Sequence, residues 1–304
     1  NKKKILEIGS NDGYLTEQFL KKNIDVRGVD PSKKMALVAK NRGVQTYNFL
    51  FNSKNVKKVI DDFGLVDIVV ANNVFNHAND PEDFIKSIHS VLDKDGTFVF
   101  ELPYWFCTIR DKRFDQIYHE HVTYFTAKYA YNLLKKHGFS ITKIKVVDYH
   151  GGSLRVYSKK ASKANINEEL KTMIDEEEKY GLFEVETYKS FIKELEKDRS
   201  VFMQNIYKIK DKGIPIIGIG AAAKANTFLN FYNIDNTILD YITDASEHKK
   251  GKYTPLTRIP IVGDEILSEY DEVYVLILSW NISSVLKEKI KKINNKVKFI
   301  SLRS

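Results

Sequence analysis

The stretch KILEIGSNDGYL, residues 4–15, decides the fold of this chain. Its apolar first half is typical of a buried strand, its small polar residues indicate a tight turn, and we predict a helix from about Thr16. A turn of this kind allows a ligand to approach the backbone closely. Gly9 and Gly13 do not have the GxGxxG spacing of dinucleotide-binding turns. The stretch therefore predicts an α/β unit with a ligand at its first turn.

Two later strands of the same unit also end in polar residues. The predicted strand 25–29 runs into Asp30, and the predicted strand 67–72 is followed by Asn73 and His77. Ligands of open α/β sheets lie at the carboxyl ends of the strands, where an aspartate can accept ribose hydroxyls. Taken alone, Asp30 or Asn72 would more often be a cap or turn residue. Three such strand ends in order predict a nucleoside site.

The segment FDQIYHEHVTYF, residues 114–125, places a phenol, two imidazoles and a carboxylate side by side. Imidazole exchanges protons near neutral pH, so the segment is suited to general base catalysis. In a strand, His119 and His121 would share one face; in a tight turn, Tyr118 and Glu120 would join them. A surface loop or a hydrogen-bond network remains an alternative interpretation. We expect no metal here, because no HExxH or cysteine-rich partner segment accompanies the histidines.

Alternating strands and helices organise residues 1–160. We predict strands at 4–8, 25–29, 44–48, 67–72 and 96–101, which form a parallel sheet, and a final antiparallel pair at 139–149 and 154–159. Residues 104–126 interrupt this pattern as an insertion over the ligand edge, which is usually a substrate-facing position.

A helical pair broken near residues 180–181 connects this unit to a second α/β alternation. The latter begins with IPIIGIGAAAK, residues 214–224, and has further strands near 238–243, 272–278 and 296–301. The Gly-x-Gly turn and the following helix predict an anion cradle, to which Lys224 adds a charge. A packing turn without a ligand is the alternative. We find no third glycine and no acidic ribose anchor, which disfavours NAD.

The composition of the chain argues against some classes of partner. The chain has 304 residues, a net charge of +8 and one cysteine, Cys107. The lysines are dispersed rather than alternating with aromatic residues, so we expect no nucleic-acid partner; the basic balance suits a diphosphate-bearing substrate. No apolar run approaches the roughly 20 residues that span a bilayer, and no signal peptide opens the sequence. We therefore expect no membrane partner and a cytoplasmic protein, monomeric or a small homo-oligomer.

Seven blocks of sequence follow one another over nearly the whole chain: EIGSNDG (7–13), the asparagine-rich strand end with His77, ELPYW (101–105), FDQIYHEHVTYF (114–125), HGGSLRVY (150–157), GIGAAAKANTFLNF (218–231) and KGKYTPLTRIPI (250–261). In these blocks and their order the chain closely resembles the S-adenosylmethionine (SAM) dependent C-methyltransferases of nucleotide-linked deoxysugars, which methylate C3 of 4-keto sugars. The first block is similar to motif I of class I SAM methyltransferases. The resemblance implies a class I methyltransferase domain at 1–164, a helical connector at 165–212 and a smaller Rossmann-like substrate domain at 213–304.

The resemblance also implies roles for individual residues. His121 is the general base that forms an enolate, and Tyr118, Glu120 and His77 position the substrate or shape proton transfer. SAM contacts Glu7, Gly9, Asn11, Gly13, Asp30, Asn72 and Asn73. The nucleotide sugar contacts Ala222, Ala223 and Lys224, with Arg155 and Asn281 as further candidates; His150 and Arg155 are equally candidates for a domain interface.

Members of this family begin with a cysteine-rich zinc module, whereas this sequence starts at Asn1 directly before the first strand. Either it is a fragment or the module is lacking, and zinc is expected only if the module exists. Two other functions remain open: O- or N-methylation of a small molecule, with the same base and no enolate, and sensing of SAM by a non-enzymatic protein.

Overall fold

The computed structural model describes residues 3–149 and 151–301, so His150 lies outside the described residues. The chain forms two compact units. Unit 1 comprises Asn1–Thr108 and Glu120–Phe183, and unit 2 comprises Ile109–His119 and Glu184–Ser304. The predicted insertion is therefore divided between the two units. No helix of the described residues has the length and apolar character needed to span a bilayer.

Unit 1 is built on a seven-stranded sheet. Its strands are β1 (Lys4–Ile8), β2 (Asp25–Val29), β3 (Thr46–Tyr47), β4 (Val66–Asn72), β5 (Leu92–Pro103), β6 (Phe139–Val147) and β7 (Ser153–Lys160). They lie in the order β3-β2-β1-β4-β5-β7-β6. The first five are parallel, and β7 is antiparallel to both neighbours. This is the sheet of class I methyltransferases, and the predicted fold class is confirmed.

The parallel strands of unit 1 require helical crossovers. The helices are α1 (Tyr14–Lys21), α2 (Lys33–Asn41), α3 (Val56–Phe63), α4 (Pro81–Val91), α5 (Trp105–Arg110), α6 (Ala127–Lys136) and α7 (Glu168–Lys179). Asp80 caps α4, with Pro81 at its first position, and Thr126 caps α6. The first helix begins at Tyr14, two residues before the predicted start.

An aromatic cluster supports the carboxyl edge of this sheet. The fully buried Phe75 ring lies 4.9 Å from the ring of Phe125 and 5.4 Å from that of Phe100. Phe75 precedes His77 by two residues, and Phe125 follows His121 by four. Such ring contacts stabilise the core beyond the area that they bury. They fix both histidine-bearing segments to one core.

Unit 2 is a smaller α/β unit of the same plan. Its elements are α8 (Val185–Lys210), β8 (Ile216–Ile219), α9 (Ala223–Tyr232), β9 (Tyr241–Thr243), β10 (Ile261–Val262), β11 (Tyr274–Ile277), α10 (Ser283–Ile293) and β12 (Lys298–Ile300). The strands are all parallel in the order β10-β9-β8-β11-β12, which is the order β3-β2-β1-β4-β5 of unit 1. The break predicted in the helical pair is confirmed; α7 belongs to unit 1 and α8 to unit 2.

A buried carboxylate holds α7 to the start of α6. Glu177 is fully buried, and it accepts hydrogen bonds from the Tyr104 hydroxyl at 2.7 Å and from the backbone N–H groups of Ala127 and Lys128. Burial raises the pKa of Glu177, and the hydrogen bonds oppose that effect. Glu177 thus supplies the acceptor that the first turn of α6 lacks.

We expect Glu177→Gln to lower the free energy of unfolding by about 2–4 kcal/mol, because an amide NH₂ would face one of these donors. Urea denaturation measures the change. The control is Glu176→Gln at the exposed neighbouring position, where a change within about 0.5 kcal/mol is expected. Equal losses in the two variants would contradict the role of Glu177.

Candidate active site

The first turn of unit 1 has a backbone that few side chains allow. Gly9, Asn11 and Gly13 have φ angles of 67°, 49° and 77°. A Cβ at Gly9 would lie 2.0 Å from Cγ2 of Val74, so the neighbouring strand end leaves no room for a side chain. The turn is thereby pressed against the segment that follows β4, and α1 begins directly after it.

Asp30 fixes this turn from the end of β2. Its Oδ2 accepts the N–H of Asn11 at 2.9 Å, and its Oδ1 accepts the N–H of Ser32 at 2.8 Å. The residue is 8% exposed. A carboxylate has about four lone-pair positions, so about two remain for a ligand. These are the acceptors that the two ribose hydroxyls of SAM require, and the residues present fit that cofactor.

Glu7, in β1, contacts the helix that follows the same turn. Its carboxyl group is buried and accepts a hydrogen bond from the hydroxyl of Thr16 in α1. Burial raises the pKa of Glu7 to about 7, although the bond to Thr16 opposes this effect. The side chain therefore ties β1 to α1, and a contact with SAM stays a prediction.

The predicted residues after β4 differ in their surroundings. Asn72 is exposed, whereas Asn73 adopts φ 52° and donates its N–H to the carbonyl of Glu101 at 2.6 Å. Glu101 is also paired with Arg155 on the adjacent β7, with 2.6 Å between Oε2 and the guanidinium Nε. Arg155 is thus engaged in a cross-strand ion pair of unit 1.

His77 and His121 come together in unit 1. Their ring centroids are 5.1 Å apart and the rings are inclined by 73°. The backbone carbonyl of Asn76 accepts the N–H groups of Val122 and Thr123, both at 3.1 Å. These bonds attach the segment that follows His121 to the end of β4. Residues 44 positions apart therefore share the ligand edge of one sheet.

The remaining residues of the Tyr-His-Glu-His segment have different environments. Residues 118–120 form a turn rather than a strand. His121 is 8% exposed, whereas His119 and Glu120 are exposed and Tyr118 is half-buried. Tyr118 and His119 belong to unit 2, and Glu120 and His121 belong to unit 1. Of the two geometries that the sequence left open for this segment, strand and turn, the structure has the turn.

Sequence reasoning missed Asn76. Its side chain is 3% exposed, and among the described residues neither its Oδ1 nor its Nδ2 has a hydrogen-bond partner. A buried amide without partners costs about 1–3 kcal/mol. No sequence motif distinguishes Asn76, and the sequence pattern of this segment pointed to the titratable His77 beside it.

The cradle predicted in unit 2 lies at the start of α9. Ala222 is the N-cap residue, Ala223 and Lys224 open the helix, and the helix has ten residues. Its first N–H groups have no partner within the helix, so they favour an anion. Burial lowers the pKa of Lys224, and the charge of Asp115 opposes that effect. Gly220 has φ 92°, and a Cβ there would meet the Ser279 hydroxyl at 2.2 Å.

Three residues that sequence reasoning left unassigned surround Lys224 within unit 2. The Nε1–H of Trp280 donates to Asp115, which is 5% exposed. The Arg113 guanidinium lies 4.5 Å from the centroid of the Trp280 ring, and Nζ of Lys224 lies 5.2 Å from it. Two cations and one buried carboxylate thus meet on one indole. Asn281, the next residue, is exposed.

The expectation that unit 2 lacks an acidic residue at the ribose position is wrong. Asp244 follows β9 directly, as Asp30 follows β2. Its Oδ2 accepts the N–H of Ala221 at 2.9 Å, and its Oδ1 accepts the N–H of Ser246 at 2.9 Å. The predicted strand 238–243 ends at the same residue as β9, so the position of Asp244 was visible in the sequence and was overlooked.

Over the part of the chain that the structure describes, no three His, Cys, Asp or Glu side chains are grouped as a metal site.

Family models cover almost the whole chain. Residues 148–302 match the model described as the C-methyltransferase C-terminal domain, and residues 1–144 match a methyltransferase domain. C-methyltransferase NovU of Streptomyces niveus is 29% identical over 278 residues, which are 91% of this chain and 66% of NovU. A ubiquinone biosynthesis O-methyltransferase of Coxiella burnetii is 28% identical over 135 residues, 44% of this chain and 53% of that protein. The chain thus spans between half and two thirds of the length of these curated relatives.

Similar solved structures cover about half of the chain. The plantazolicin methyltransferase BpumL in complex with SAH has a TM-score of 0.42 and 12% identity, over 52% of this chain and 76% of BpumL. A possible histamine N-methyltransferase from Thermotoga maritima has a TM-score of 0.40 and 18% identity, over 52% of this chain and 82% of that protein.

We expect Asp30→Asn to weaken SAM binding by about 10- to 100-fold, because the variant loses charge-assisted contacts with the ribose. Calorimetry with SAM measures the affinity. Asp12→Asn is the matched control, since Asp12 lies in the same turn and pairs with Arg42 at the surface. A loss as large in Asp12→Asn as in Asp30→Asn would show that only the charge of the turn matters.

Glu7 gives the folding equilibrium a predicted pH dependence. The pKa of its carboxyl rises from 4.5 to about 7 on folding, so the folded protein holds this proton more tightly. That stabilisation is complete below pH 4.5 and is lost as the pH rises through 7. Relative to the native protein, Glu7→Gln should therefore gain about 3 kcal/mol in unfolding free energy between pH 4.5 and pH 8.

Urea denaturation of both proteins at the two pH values tests this difference. Glu17→Gln provides a contrast of opposite sign, because the hydrogen bond from Lys21 lowers the pKa of Glu17. A pH-independent difference for Glu7→Gln would contradict the buried, protonatable carboxyl.

Proposed function

The chain belongs to the SAM-dependent methyltransferases that carry a C-methyltransferase C-terminal domain, and from that membership we propose that it methylates carbon 3 of a nucleotide-linked 4-keto-deoxysugar. The observation that carries the proposal is the contact between His77 and His121 in unit 1. It puts a buried imidazole at the sheet edge where the Asp30 turn lies. The sugar and its position of methylation come from the resemblance of the sequence blocks.

The proposed cofactor residues are those of the first turn and the two following strand ends. Asp30 accepts the ribose hydroxyls of SAM, and Gly9, Asn11 and Gly13 shape the turn beside it. Glu7, Asn72 and Asn73 complete the proposed set. When bound, SAM supplies an electrophilic methyl group.

The proposed base is His121. A C–H bond beside a ketone is acidic enough for an imidazole to break it, provided that the oxygen of the resulting enolate is stabilised. The proton passes to a ring nitrogen of His121, and the electron pair passes into the enolate, whose carbon is then the nucleophile. His77 contacts the ring of His121 and orients it. Tyr118 and Glu120 are proposed to position the sugar.

Unit 2 is proposed to hold the nucleotide diphosphate. The first turn of α9 offers backbone N–H groups at Ala222, Ala223 and Lys224, and Arg113 adds a second cation on the Trp280 ring. An incoming diphosphate would offset the cost of burying the Lys224 charge. Asn281 and Arg155 are the weaker substrate candidates. A cytoplasmic location and a monomeric or small homo-oligomeric state stay predictions.

O- or N-methylation is the second candidate, supported by the match of residues in the amino-terminal half to an O-methyltransferase. It needs the same base and no enolate. Carbon NMR of the product formed with methyl-labelled SAM separates the two candidates, since the new methyl bonds to carbon in one and to oxygen or nitrogen in the other.

Hydrogen exchange tests the base directly. Without a methyl donor, the native protein in heavy water should exchange deuterium into carbon 3 of a uridine- or thymidine-diphosphate-linked 4-keto-6-deoxyhexose. His121→Asn should slow this exchange by about 10²- to 10⁴-fold, because the general base is lost. His119→Asn, at the exposed histidine two residues earlier, should exchange at the native rate.

Loss of exchange in His119→Asn with native exchange in His121→Asn would show that the base is wrongly assigned. Native exchange in both variants would show that the segment is structural. Exchange is followed by proton NMR, and SAM affinity confirms that each variant is folded.

A further inference from the structure

The ligand edges of the two units share one hydrogen-bond scheme. In unit 1, the N–H of Gly9 donates to the carbonyl of Val29, and the N–H of Asp30 donates to Tyr47 on the third strand. In unit 2, the N–H of Gly220 donates to the carbonyl of Thr243, and the N–H of Asp244 donates to Val262 on β10. The strand order is also the same. Unit 2 therefore repeats the backbone of a nucleoside-binding edge.

The side chain of the second aspartate repeats the scheme as well. Asp244 accepts the N–H of Ala221 on Oδ2 and the N–H of Ser246 on Oδ1, both at 2.9 Å. Asp30 makes a corresponding pair of bonds at 2.9 and 2.8 Å, although its partner in the turn lies two residues after Gly9 and that of Asp244 lies one residue after Gly220. A carboxylate at this position is the usual acceptor for ribose hydroxyls in Rossmann-like folds.

One contact distinguishes the two aspartates. Nζ of Lys249 lies 3.0 Å from Oδ2 of Asp244, whereas no described side chain donates to the Asp30 carboxylate. Of about four lone-pair positions, three are therefore used on Asp244 and two on Asp30. Asp30 has room for both hydroxyls of a ribose, and Asp244 has room for one.

We propose that Asp244 accepts the 3′-hydroxyl of the nucleoside in the substrate, and that Lys249 leaves no acceptor for the 2′-hydroxyl, so that ribonucleoside and 2′-deoxyribonucleoside diphosphates bind alike. This inference rests on the proposed function, since it concerns the nucleotide of the substrate. It sets the direction of the nucleotide in unit 2. The nucleoside lies at the end of β9, the diphosphate lies at Ala222–Lys224, and the sugar points toward Trp280 after β11.

The positive charges of unit 2 agree with that direction. Lys224 lies at the turn where the diphosphate is placed, and the Arg113 guanidinium lies over the same Trp280 ring as Lys224, whereas neither of these two cations is paired with Asp244. Lys249 forms an ion pair with Asp244, so the charge of the carboxylate at the nucleoside end is balanced. A neutral ribose and an anionic diphosphate thus meet matching surroundings.

Calorimetry with UDP and 2′-deoxy-UDP tests the proposal, because the two probes differ only in one hydroxyl; ADP and 2′-deoxy-ADP provide a second pair. We expect the native protein to bind the members of a pair within about threefold of each other. Asp244→Asn should weaken both members about tenfold or more. Lys249→Met should free one acceptor position, so that UDP binds about tenfold more tightly than 2′-deoxy-UDP.

Lys250→Met is the matched control, since Lys250 pairs with Glu247 and not with Asp244. It should keep the native ratio of the two affinities. Affinity for S-adenosylhomocysteine, bound in unit 1, should be unchanged in all three variants and reports that they are folded. If Asp244→Asn misfolds, the ratio in Lys249→Met decides.

Native affinity of Asp244→Asn for both UDP and 2′-deoxy-UDP would overturn the proposal. So would a preference of the native protein for UDP above tenfold, or a ratio of the two affinities that is unchanged in Lys249→Met. Binding of NAD⁺ without binding of nucleoside diphosphates would overturn it as well. These outcomes are distinguishable from failure of the proposed function. Binding as predicted without methylation of any 4-keto sugar would refute the proposed function alone. Carbon methylation with a native KM in Asp244→Asn would refute the role of Asp244 alone.

Discussion

In both units, an aspartate at the end of the second strand holds the turn that follows the first strand. The bond from the backbone N–H of Asn11 to Asp30, and its equivalent from Ala221 to Asp244, closes the edge of each parallel sheet. Parallel strands leave their last backbone groups unpaired at this edge, and a carboxylate satisfies them without a further strand. The turn that this bond holds leads directly into the next helix, α1 in unit 1 and α9 in unit 2.

The long apolar runs of the sequence were sufficient for the strands that carry the sheets, such as 4–8 and 25–29. The two-residue strands β3 and β10 gave weaker or no signals, because pairing and not propensity defines them. The sequence also did not predict that residues 104–126 are divided between the two units. This division depends on contacts of Phe114 with Phe228 and Phe231, which lie more than 110 residues later.

The candidate site shows the same limit. That His77 and His121 share an edge follows from strand order, but that His121 is buried and His119 exposed depends on the turn at 118–120. Asp115 lies in the same sequence block, residues 114–125, but no pattern in the sequence distinguishes it. Its role became visible only from the hydrogen bond that it accepts from Trp280 in the structure. Buried polar groups such as Glu7 and Asn76 concentrate at this edge, and they reduce stability where a ligand is to be bound.

The division of the insertion limits how such enzymes can be recombined. The polypeptide passes between the units after Thr108, after His119 and after Phe183, so a single cut does not separate them. A chimera joined only at residue 183 would take Phe114 from one parent and the residues at 228 and 231 from the other. The packing of Phe114 on Phe228 and Phe231 would then join residues of two different proteins. Exchange of unit 2 between homologues therefore has to include residues 109–119. Exchange of unit 2 therefore also replaces the segment that leads into Glu120 and His121, so the two units are linked at this point of the chain.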